Sequence, residues 1–138
     1  MQLTPAHTAA LTLELDKRDR QIRDDLRSLL MQSGNERYTD LVGAVHDPGD
    51  ESVADMLSDL NNTLVARHVQ ELRELEAARK RLSDGTINEC IDCGLEIGYK
   101  RLLAYPTAVR CIECQAQFEK THQHAGTPSL YQFRNGAQ

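Results

Sequence analysis

Four cysteines, arranged as two close pairs, constrain the fold of this 138-residue chain more than any other feature. The pairs are Cys90 with Cys93 and Cys111 with Cys114, and 17 residues lie between them. This spacing is typical of a tetrahedral zinc site with four thiolate ligands. Two disulfides or a redox-active pair are the alternatives, but a redox pair normally stands alone in a β-α-β context that is absent here. We therefore expect one structural Zn²⁺ ion, with no open position for catalysis.

The residues around the cysteines predict a small zinc-ribbon or treble-clef-like finger. Apolar stretches at 97–103 and 108–109 predict two short strands. A short C-terminal helix is predicted to begin at the second cysteine pair and to run through Gln115, Phe118 and Glu119. The finger is expected to occupy residues 85–123, and the aperiodic residues 124–138 are expected to form a disordered tail.

A long amphipathic helix is predicted before the finger. Thr4 and Pro5 have the features of a helix N-cap and a first helical position. Apolar residues then recur at spacings of 3, 4 and 7, on Leu11, Leu15, Ile22, Leu26 and Leu29. So narrow a stripe indicates a helix that packs against a single partner.

A second apolar stripe follows the strong turn signal HDPGD at 46–50. Its positions are Val53, Leu57, Leu60, Leu64, His68, Leu72, Leu75 and Leu82. With a natural stop at Gly85, the pattern predicts one helix over about 51–84. The fold class is therefore mainly α: a long antiparallel coiled-coil hairpin over 1–84, with its tip at 46–52. Two surface helices of a globular bundle are the alternative, although no third apolar helix is present to complete one.

The charge is unevenly distributed along the chain, whose formal net charge is −5. Residues 35–52 contain five acids and one base, and residues 85–123 contain five acids and four bases. Because nucleic acid is bound mainly by clustered Lys and Arg, we expect no direct specific DNA binding. A basic protein channel suits the acidic tip better. No apolar run is long enough to span a membrane and no signal peptide is recognised, so we expect a monomeric cytoplasmic protein.

Several motifs resemble the DksA/TraR family of zinc-finger transcription regulators. They are DPGD at 47–50, CIDCGLEI at 90–97, RLLAYPTA at 101–108 and CIEC at 111–114. The resemblance covers roughly residues 10–120. It implies a protein that is not an enzyme and that binds RNA polymerase. It also implies that the coiled coil enters the secondary channel of the polymerase and places its acidic tip near the catalytic centre.

The same resemblance implies roles for single residues. The family's tip pattern Asp-x-x-Asp-x-Ala becomes Asp47, Asp50 and Ser52 in this chain, so both acids are kept and Ala is replaced. Arg67 matches an arginine that the family uses against the channel rim, and Arg101 matches a basic residue of the family's ppGpp site. Other positions of that site carry residues that are not basic, namely Glu74, Tyr105 and Gln115. We therefore expect weak or absent dependence on ppGpp.

Two other functions remain open at this stage. A transcript-cleavage factor also carries an acidic coiled-coil tip with an adjacent Asp-Glu pair, and Asp50 with Glu51 is such a pair, although cleavage factors lack a cysteine cluster. A DNA-binding zinc finger would need a basic face, which residues 85–123 do not provide. Asp47 and Asp50 can also act simply as caps of the turn, a role compatible with either function.

Overall fold

The computed structural model describes residues 3–45, 51–60 and 62–122, and these residues are mainly helical. The helices are α1 (Pro5–Gln32), a 3₁₀ helix (Glu36–Ala44), α2 (Glu51–Ser58), α3 (Thr63–Asp84), α4 (Tyr99–Ala104) and α5 (Ile112–His122). The one β pairing in these ranges is an isolated bridge between Glu89 and Glu96. None of the described helices combines the length and hydrophobicity needed to cross a bilayer. Asp47, Asp50 and the expected tail at 124–138 lie outside the described residues.

The first helix begins where the sequence predicts. Thr4 caps it: the Thr4 hydroxyl accepts from the backbone N–H of His7 at 3.1 Å, and the Thr4 N–H donates to His7 Nδ1 at 3.2 Å. This reciprocal pair satisfies two of the donors that a helix N-terminus leaves open. The helix ends before Gly34, whose φ of 79° lies in the left-handed region that favours glycine.

Helices α1 and α3 pack together along an apolar cluster that also includes the 3₁₀ helix and α2. Its buried members are Leu15, Leu26, Leu30, Val42, Val45, Ala54, Leu57, Val65, Val69, Leu72, Leu75 and Ala78. Arg79 on α3 adds an ion pair to Asp16 on α1, with 2.8 Å between Nη1 and Oδ1. Burying one Leu contributes about 2 kcal/mol, whereas a half-exposed ion pair contributes about 1 kcal/mol at most, so apolar packing dominates.

One charged residue of α1 is buried against expectation. Arg23, with 7% of its surface exposed, pairs with Asp19 and donates from Nη1 to the carbonyl oxygen of Val42 in the 3₁₀ helix. The sequence predicts a solvated position here, because Arg and Asp fill the positions between the apolar residues of α1. The partner that makes burial tolerable lies 19 residues further along the chain, where a local pattern gives no sign of it.

The prediction of one helix over 51–84 is wrong, because the structure has two helices, α2 and α3. Asn62 starts α3: its Oδ1 accepts from the backbone N–H groups of Leu64 and Val65 at 3.0 and 3.2 Å. An asparagine side chain in this position satisfies donors that a new helix leaves open. The helix ends at Gly85 as predicted, with a φ of 80°.

At the start of α3 the buried positions are shifted by one residue, although Leu72 and Leu75 are buried as predicted. Val65 and Val69 are fully buried, whereas Leu64 is 49% exposed and partly buried His68 has its Nδ1 3.1 Å from Glu71. The predicted core positions at 64 and 68 are therefore wrong. The error has a physical origin, since α3 restarts at its own cap instead of continuing the phase of α2.

The two predicted strands of the finger are also absent from the described residues. Residues 99–104 form α4, whose start is fixed by Asn88: its Oδ1 accepts from the N–H of Gly98 at 2.8 Å. Leu102 of this helix is fully buried. A short apolar run fits a buried helical turn as well as a strand, so periodicity alone does not distinguish them. The short helix predicted after the second cysteine pair is confirmed as α5.

Candidate metal centre

The structure brings the four predicted ligands into one cluster. Their sulfur atoms all lie within 4.8 Å of one another, and Sγ of Cys93 is 3.9 Å from Sγ of Cys111. Tetrahedral zinc with Zn–S bonds of about 2.3 Å places its sulfurs about 3.8 Å apart, so the cluster fits one Zn²⁺ ion. None of the four cysteines is in a disulfide. When bound, the ion cross-links two turns of the chain.

Backbone amides prepare one of these sulfurs for negative charge. Burial opposes ionisation of Cys90, but the backbone N–H groups of Cys111 and Cys93 donate to its sulfur and lower its pKa to about 6. Hydrogen bonding to the Cys111 thiol holds the pKa of Cys114 well above its usual range. Four adjacent thiolates repel one another, so full ionisation of the set requires a cation among them. The donor set is therefore suited to a soft dication such as Zn²⁺.

The first cysteine pair is held by backbone hydrogen bonds. The N–H of Cys90 donates to the carbonyl of Leu95 at 2.8 Å, and the N–H of Gly94 donates to the carbonyl of Cys90 at 3.0 Å. Gly94 has a φ of 75°, where a side chain would be strained. The N–H of Ile91 donates to the carbonyl of Val109 at 3.0 Å, which ties this turn to the second pair.

The core of the finger includes residues of the helices. Its buried members are Leu11, Ile87, Cys90, Ile97, Leu102, Tyr105 and Ala108. Leu11 belongs to α1, and Leu82 of α3 packs against the same cluster. The start of α1 and the end of α3 therefore both contribute to the finger core. The apolar core of the finger is therefore completed by side chains of α1 and α3.

Two arginines also join the helices to the finger. Arg81 at the end of α3 donates to three backbone carbonyls, those of Glu89 at 2.7 Å, Ala108 at 3.2 Å and Thr86 at 3.3 Å. Arg18 of α1 donates from Nη2 to the carbonyl of Ala104 at 2.7 Å. The sequence pattern identifies neither residue, since each donates to acceptors that lie on a different segment. The available signal for Arg81 is a base in the last turn of a predicted helix.

Arg101 and Arg110 lie within the finger. Arg101 is half-buried: its Nε donates to the carbonyl of Arg110 at 3.1 Å, and its guanidinium lies 5.7 Å from the ring centre of Tyr105. Arg110 pairs with Asp92 at 2.8 Å and lies 3.9 Å from the ring centre of Phe118. Both guanidinium groups thus contribute to the packing around the cysteine cluster.

Two further predicted site residues lie on the helices, whereas Asp47 and Asp50 lie outside the described residues. Ser52 is exposed on α2, and Arg67 is half-buried on α3. Close to Ser52, Arg73 of α3 contacts two acids of α2: its Nη2 lies 2.8 Å from both Glu51 and Asp55. This pair of contacts fixes the acidic face of α2 against α3.

Comparison with known proteins identifies a family model for the finger and several relatives of the chain. Residues 85–120 match the family model of the prokaryotic dksA/traR C4-type zinc finger. The RNA polymerase-binding transcription factor DksA of Escherichia coli (strain K12) is 39% identical over 56 residues, which are 40% of this chain and 37% of that protein. The protein of the same name from Haemophilus influenzae is 34% identical over 73 residues, which are 53% of this chain and 50% of that protein.

A shorter relative is covered more completely. An uncharacterized 8.2 kDa protein of Escherichia phage P2 is 36% identical over 52 residues, which are 38% of this chain and 70% of the phage protein. By contrast, the chain spans only 37% of the Escherichia coli DksA and 50% of the Haemophilus protein. No solved structure matches the chain.

Proposed function

The chain belongs to the DksA/TraR family of C4-type zinc-finger proteins, and we propose that it is a transcription regulator that binds RNA polymerase. The observation that carries this proposal is the finger, where the family match coincides with four sulfurs at zinc-binding separations. Two relatives of the chain are named as RNA polymerase-binding transcription factors. A closed four-thiolate site supports a structural role for the ion and a protein without catalytic activity.

The proposed working shape is an antiparallel helical hairpin, with the finger at one end and residues 46–50 at the other. Leu11 near the start of α1 and Leu82 near the end of α3 both reach the finger core, which supports opposite directions for these helices. The ion pair between Asp16 and Arg79 also joins the first half of α1 to the last part of α3. Such a hairpin would be long and narrow enough to enter a channel.

In the proposed mechanism, the acids at the tip act on the catalytic centre of the polymerase. Asp47 and Asp50 lie outside the described residues, in a segment, residues 35–52, that contains five acids and one base. A channel that admits nucleotides carries positive potential, which attracts such a tip and makes the association rate sensitive to salt. Ser52 in place of the family's Ala keeps the side chain small, so insertion is retained.

Arg67 and Arg101 are proposed to contribute to polymerase binding, in different ways. Arg67 has no ion-pair partner among the described residues, so its guanidinium is available to an acidic group on the channel rim. Arg101 is engaged inside the finger, where its Nε donates to Arg110. We therefore assign Arg67 to direct contact, and Arg101 to the shape of the finger surface.

Weak or absent dependence on ppGpp is part of the proposal. Tyr105 and Gln115, which replace basic residues of the family's site, are buried, and Nε2 of Gln115 donates to Glu119 at 3.2 Å. Glu74 supplies an acid at a third position. An anionic nucleotide would gain little from these side chains. The expected location is the cytoplasm, together with the polymerase.

The test uses purified bacterial RNA polymerase and a promoter that forms unstable open complexes. We expect the zinc-loaded protein to bind the polymerase in the absence of DNA and to shorten the open-complex lifetime, with little change on adding ppGpp. Arg67→Ala should weaken binding, and the full effect should return at higher protein concentration. Failure of the wild-type protein to bind the polymerase would contradict the proposal.

A transcript-cleavage function is the second candidate in the same channel. Its sequence basis is the pair Asp50 and Glu51, but Oε1 of Glu51 lies 2.8 Å from Arg73 of α3. A carboxylate held by an arginine is less available to coordinate a catalytic metal ion. A cleavage assay on stalled complexes separates the two functions, because only a cleavage factor shortens the nascent transcript.

A further inference from the structure

A single arginine joins the short helix α2 to the long helix α3. Nη2 of Arg73 lies 2.8 Å from Oε1 of Glu51 and donates to Oδ1 of Asp55 at the same distance, 2.8 Å. Glu51 and Asp55 are four residues apart, so their carboxylates lie on the same face of α2 and repel each other. The guanidinium group that they share offsets this repulsion. Both acids of α2 are therefore held by one residue of α3.

The predicted tip pattern extends into the helix that Arg73 holds. Asp50 directly precedes α2 in the chain, and Ser52, the third member of the pattern, lies in the first turn of α2. The two acids that contact Arg73 stand on either side of Ser52 in the sequence. The orientation of α2 therefore determines where Ser52 lies and fixes the point at which residues 46–50 join the helix.

Apolar packing alone gives α2 little orientation. Its 8 residues are too few for a helix that is stable by itself. Its two buried side chains, Ala54 and Leu57, contribute apolar burial, which has no preferred direction. Hydrogen bonds do have preferred distances and angles, so the contacts of Arg73 supply the directional part. The rotation of α2 about its own axis therefore depends on Arg73.

The chain before the tip is held by a different arginine. Arg23 of α1 donates from Nη1 to the carbonyl oxygen of Val42, and Val45 is the last described residue before the tip. One side of residues 46–50 is thus attached to α1 and the other side to α3. Arg23 is 7% exposed, whereas the side chain of Arg73 is 29% exposed. Arg73 is therefore the attachment that can be changed without opening the core.

The stability of the fold does not explain why an arginine occupies position 73. Nε of Arg73 is buried and has no hydrogen-bond partner among the described residues, which costs free energy. The side chains of Glu51 and Asp55 are 72% and 66% exposed, and ion pairs with such exposed partners contribute little to stability. These effects oppose each other, so what Arg73 mainly contributes is the orientation of α2.

We propose that Arg73 is a positioning residue for the acidic tip, which it holds in the orientation that acts on the catalytic centre of RNA polymerase. The proposal rests on the proposed function and adds to it a residue that acts through α2. Because its guanidinium group is occupied by Glu51 and Asp55, Arg73 contributes to the effect of the bound protein and not to its affinity for the polymerase.

The test separates affinity for RNA polymerase from the effect at saturation. Arg73→Gln removes the contacts with α2. Arg79→Gln is the matched control on the same helix, because the side chain of Arg79 is 31% exposed and its Nη1 lies 2.8 Å from Asp16 of α1. Affinity is measured by competition with labelled wild-type protein, and open-complex lifetime is measured at saturating protein. Zinc content, circular dichroism and the urea midpoint are checked for both variants.

We expect Arg73→Gln to bind the polymerase at least as tightly as about half the wild-type affinity, since loss of a base near the tip strengthens attraction to a basic channel. At saturation it should shorten the open-complex lifetime at least about fivefold less than the wild type does. Arg79→Gln should retain the full effect at saturation. Should Arg73→Gln lose helical signal, Arg73→Met replaces it, because methionine keeps an apolar stem of similar length.

A charge exchange provides a second arm. Glu51→Arg combined with Arg73→Glu puts the two charges in each other's place and keeps the net charge of the chain at −5. Each single change should lose most of the effect at saturation, and the double change should restore at least about half of it, since contact between the two positions makes their effects non-additive.

Four results would overturn the inference. A full effect of Arg73→Gln at saturation would show that the tip does not depend on Arg73, while the proposed function would stand. Loss of affinity in parallel with loss of effect would make Arg73 a contact for the polymerase. A charge exchange without any recovery would assign its role to local charge and not to the contact with α2. Absence of any wild-type effect on open complexes would remove the proposed function, and this inference with it.

Discussion

The helical pair and the finger are stabilised in different ways. The α1–α3 cluster is continuous, and it consists of Leu, Val and Ala side chains supplied by the helices themselves. The finger core is smaller, includes cysteine side chains, and takes in Leu11 and Leu82 from the helices. We therefore expect a mainly one-way dependence, in which the finger needs both the metal and the helices, whereas most of the helical core forms without the finger.

Removal of zinc should have the largest effect. Cys93→Ser leaves three thiolate ligands, and zinc binding supplies folding free energy on the order of 10 kcal/mol in sites of this kind. We expect residues 86–121 to lose their dispersed NMR signals, while the signals of α1 and α3 persist. A chelator should have the same result with the unaltered chain. Simultaneous loss of both sets of signals would contradict the one-way dependence.

Truncation in the helical core should come next in size. Leu72 is 1% exposed, so Leu72→Ala is expected to lower the free energy of unfolding by about 2–5 kcal/mol in urea denaturation. Leu64→Ala is the matched control at an exposed leucine of α3, with an expected change within about 0.5 kcal/mol. Equal losses of stability at the two positions would mean that Leu64 is buried, as an unbroken helix over 51–84 predicts.

The connection between the regions should be weaker than either core. Arg81→Ala removes a side-chain donor from three backbone carbonyls, of which that of Thr86 still accepts the N–H of Glu89, and we expect it to cost about 1–3 kcal/mol. Amide hydrogen exchange in the finger should accelerate, with helix amides little changed. Lys80→Ala, at the neighbouring exposed position, is the control and should leave finger exchange at its wild-type rate. Protection of the finger amides that survives Arg81→Ala would assign the connection to Leu11, Leu82 and Arg18.

The smallest expected effect is at the helix break. Asn62→Ala removes the cap of α3 and should lower the free energy of unfolding by about 1 kcal/mol. Asn62→Asp keeps an acceptor at the cap position and should retain wild-type stability. If alanine increased stability instead, the helix would prefer to continue through residues 59–62.

The sequence predicted the metal ligands better than the helical register. The cysteine spacing alone identified all four clustered sulfurs, because ligand geometry leaves few other uses for two such pairs. The break before α3 was missed since leucines continue at helical spacing across it, at Leu57, Leu60 and Leu64. The new helix starts at a single N-cap side chain, Asn62, and its role as a cap depends on the conformation of the backbone around it.

The differences between prediction and structure in and near the finger have a related cause. The segment 97–103 is so short and so apolar that its sequence does not distinguish a strand from a buried helical turn. In the structure residues 99–104 form α4, and the N–H of Gly98 directly before it donates to Asn88. Arg23 is buried and Arg81 is half-buried, although most arginines lie at the surface. Their acceptors are backbone carbonyls of other segments, so only the assembled fold reveals them.

The most direct test of the proposed mechanism is the open-complex lifetime with a tip variant. Asp47→Asn with Asp50→Asn removes two charges at the tip and keeps the shape of the side chains. Glu36→Gln with Asp40→Asn removes the same charge from the exposed face of the 3₁₀ helix and serves as the control. Polymerase affinity and open-complex lifetime are measured for both.

We expect the tip variant to bind RNA polymerase within about twofold of the wild-type affinity and yet to leave the open-complex lifetime unaltered. The control should shorten that lifetime as the wild-type protein does. A tip variant that shortens it as fully as the wild type would contradict the account, because Asp47 and Asp50 would then only cap the turn.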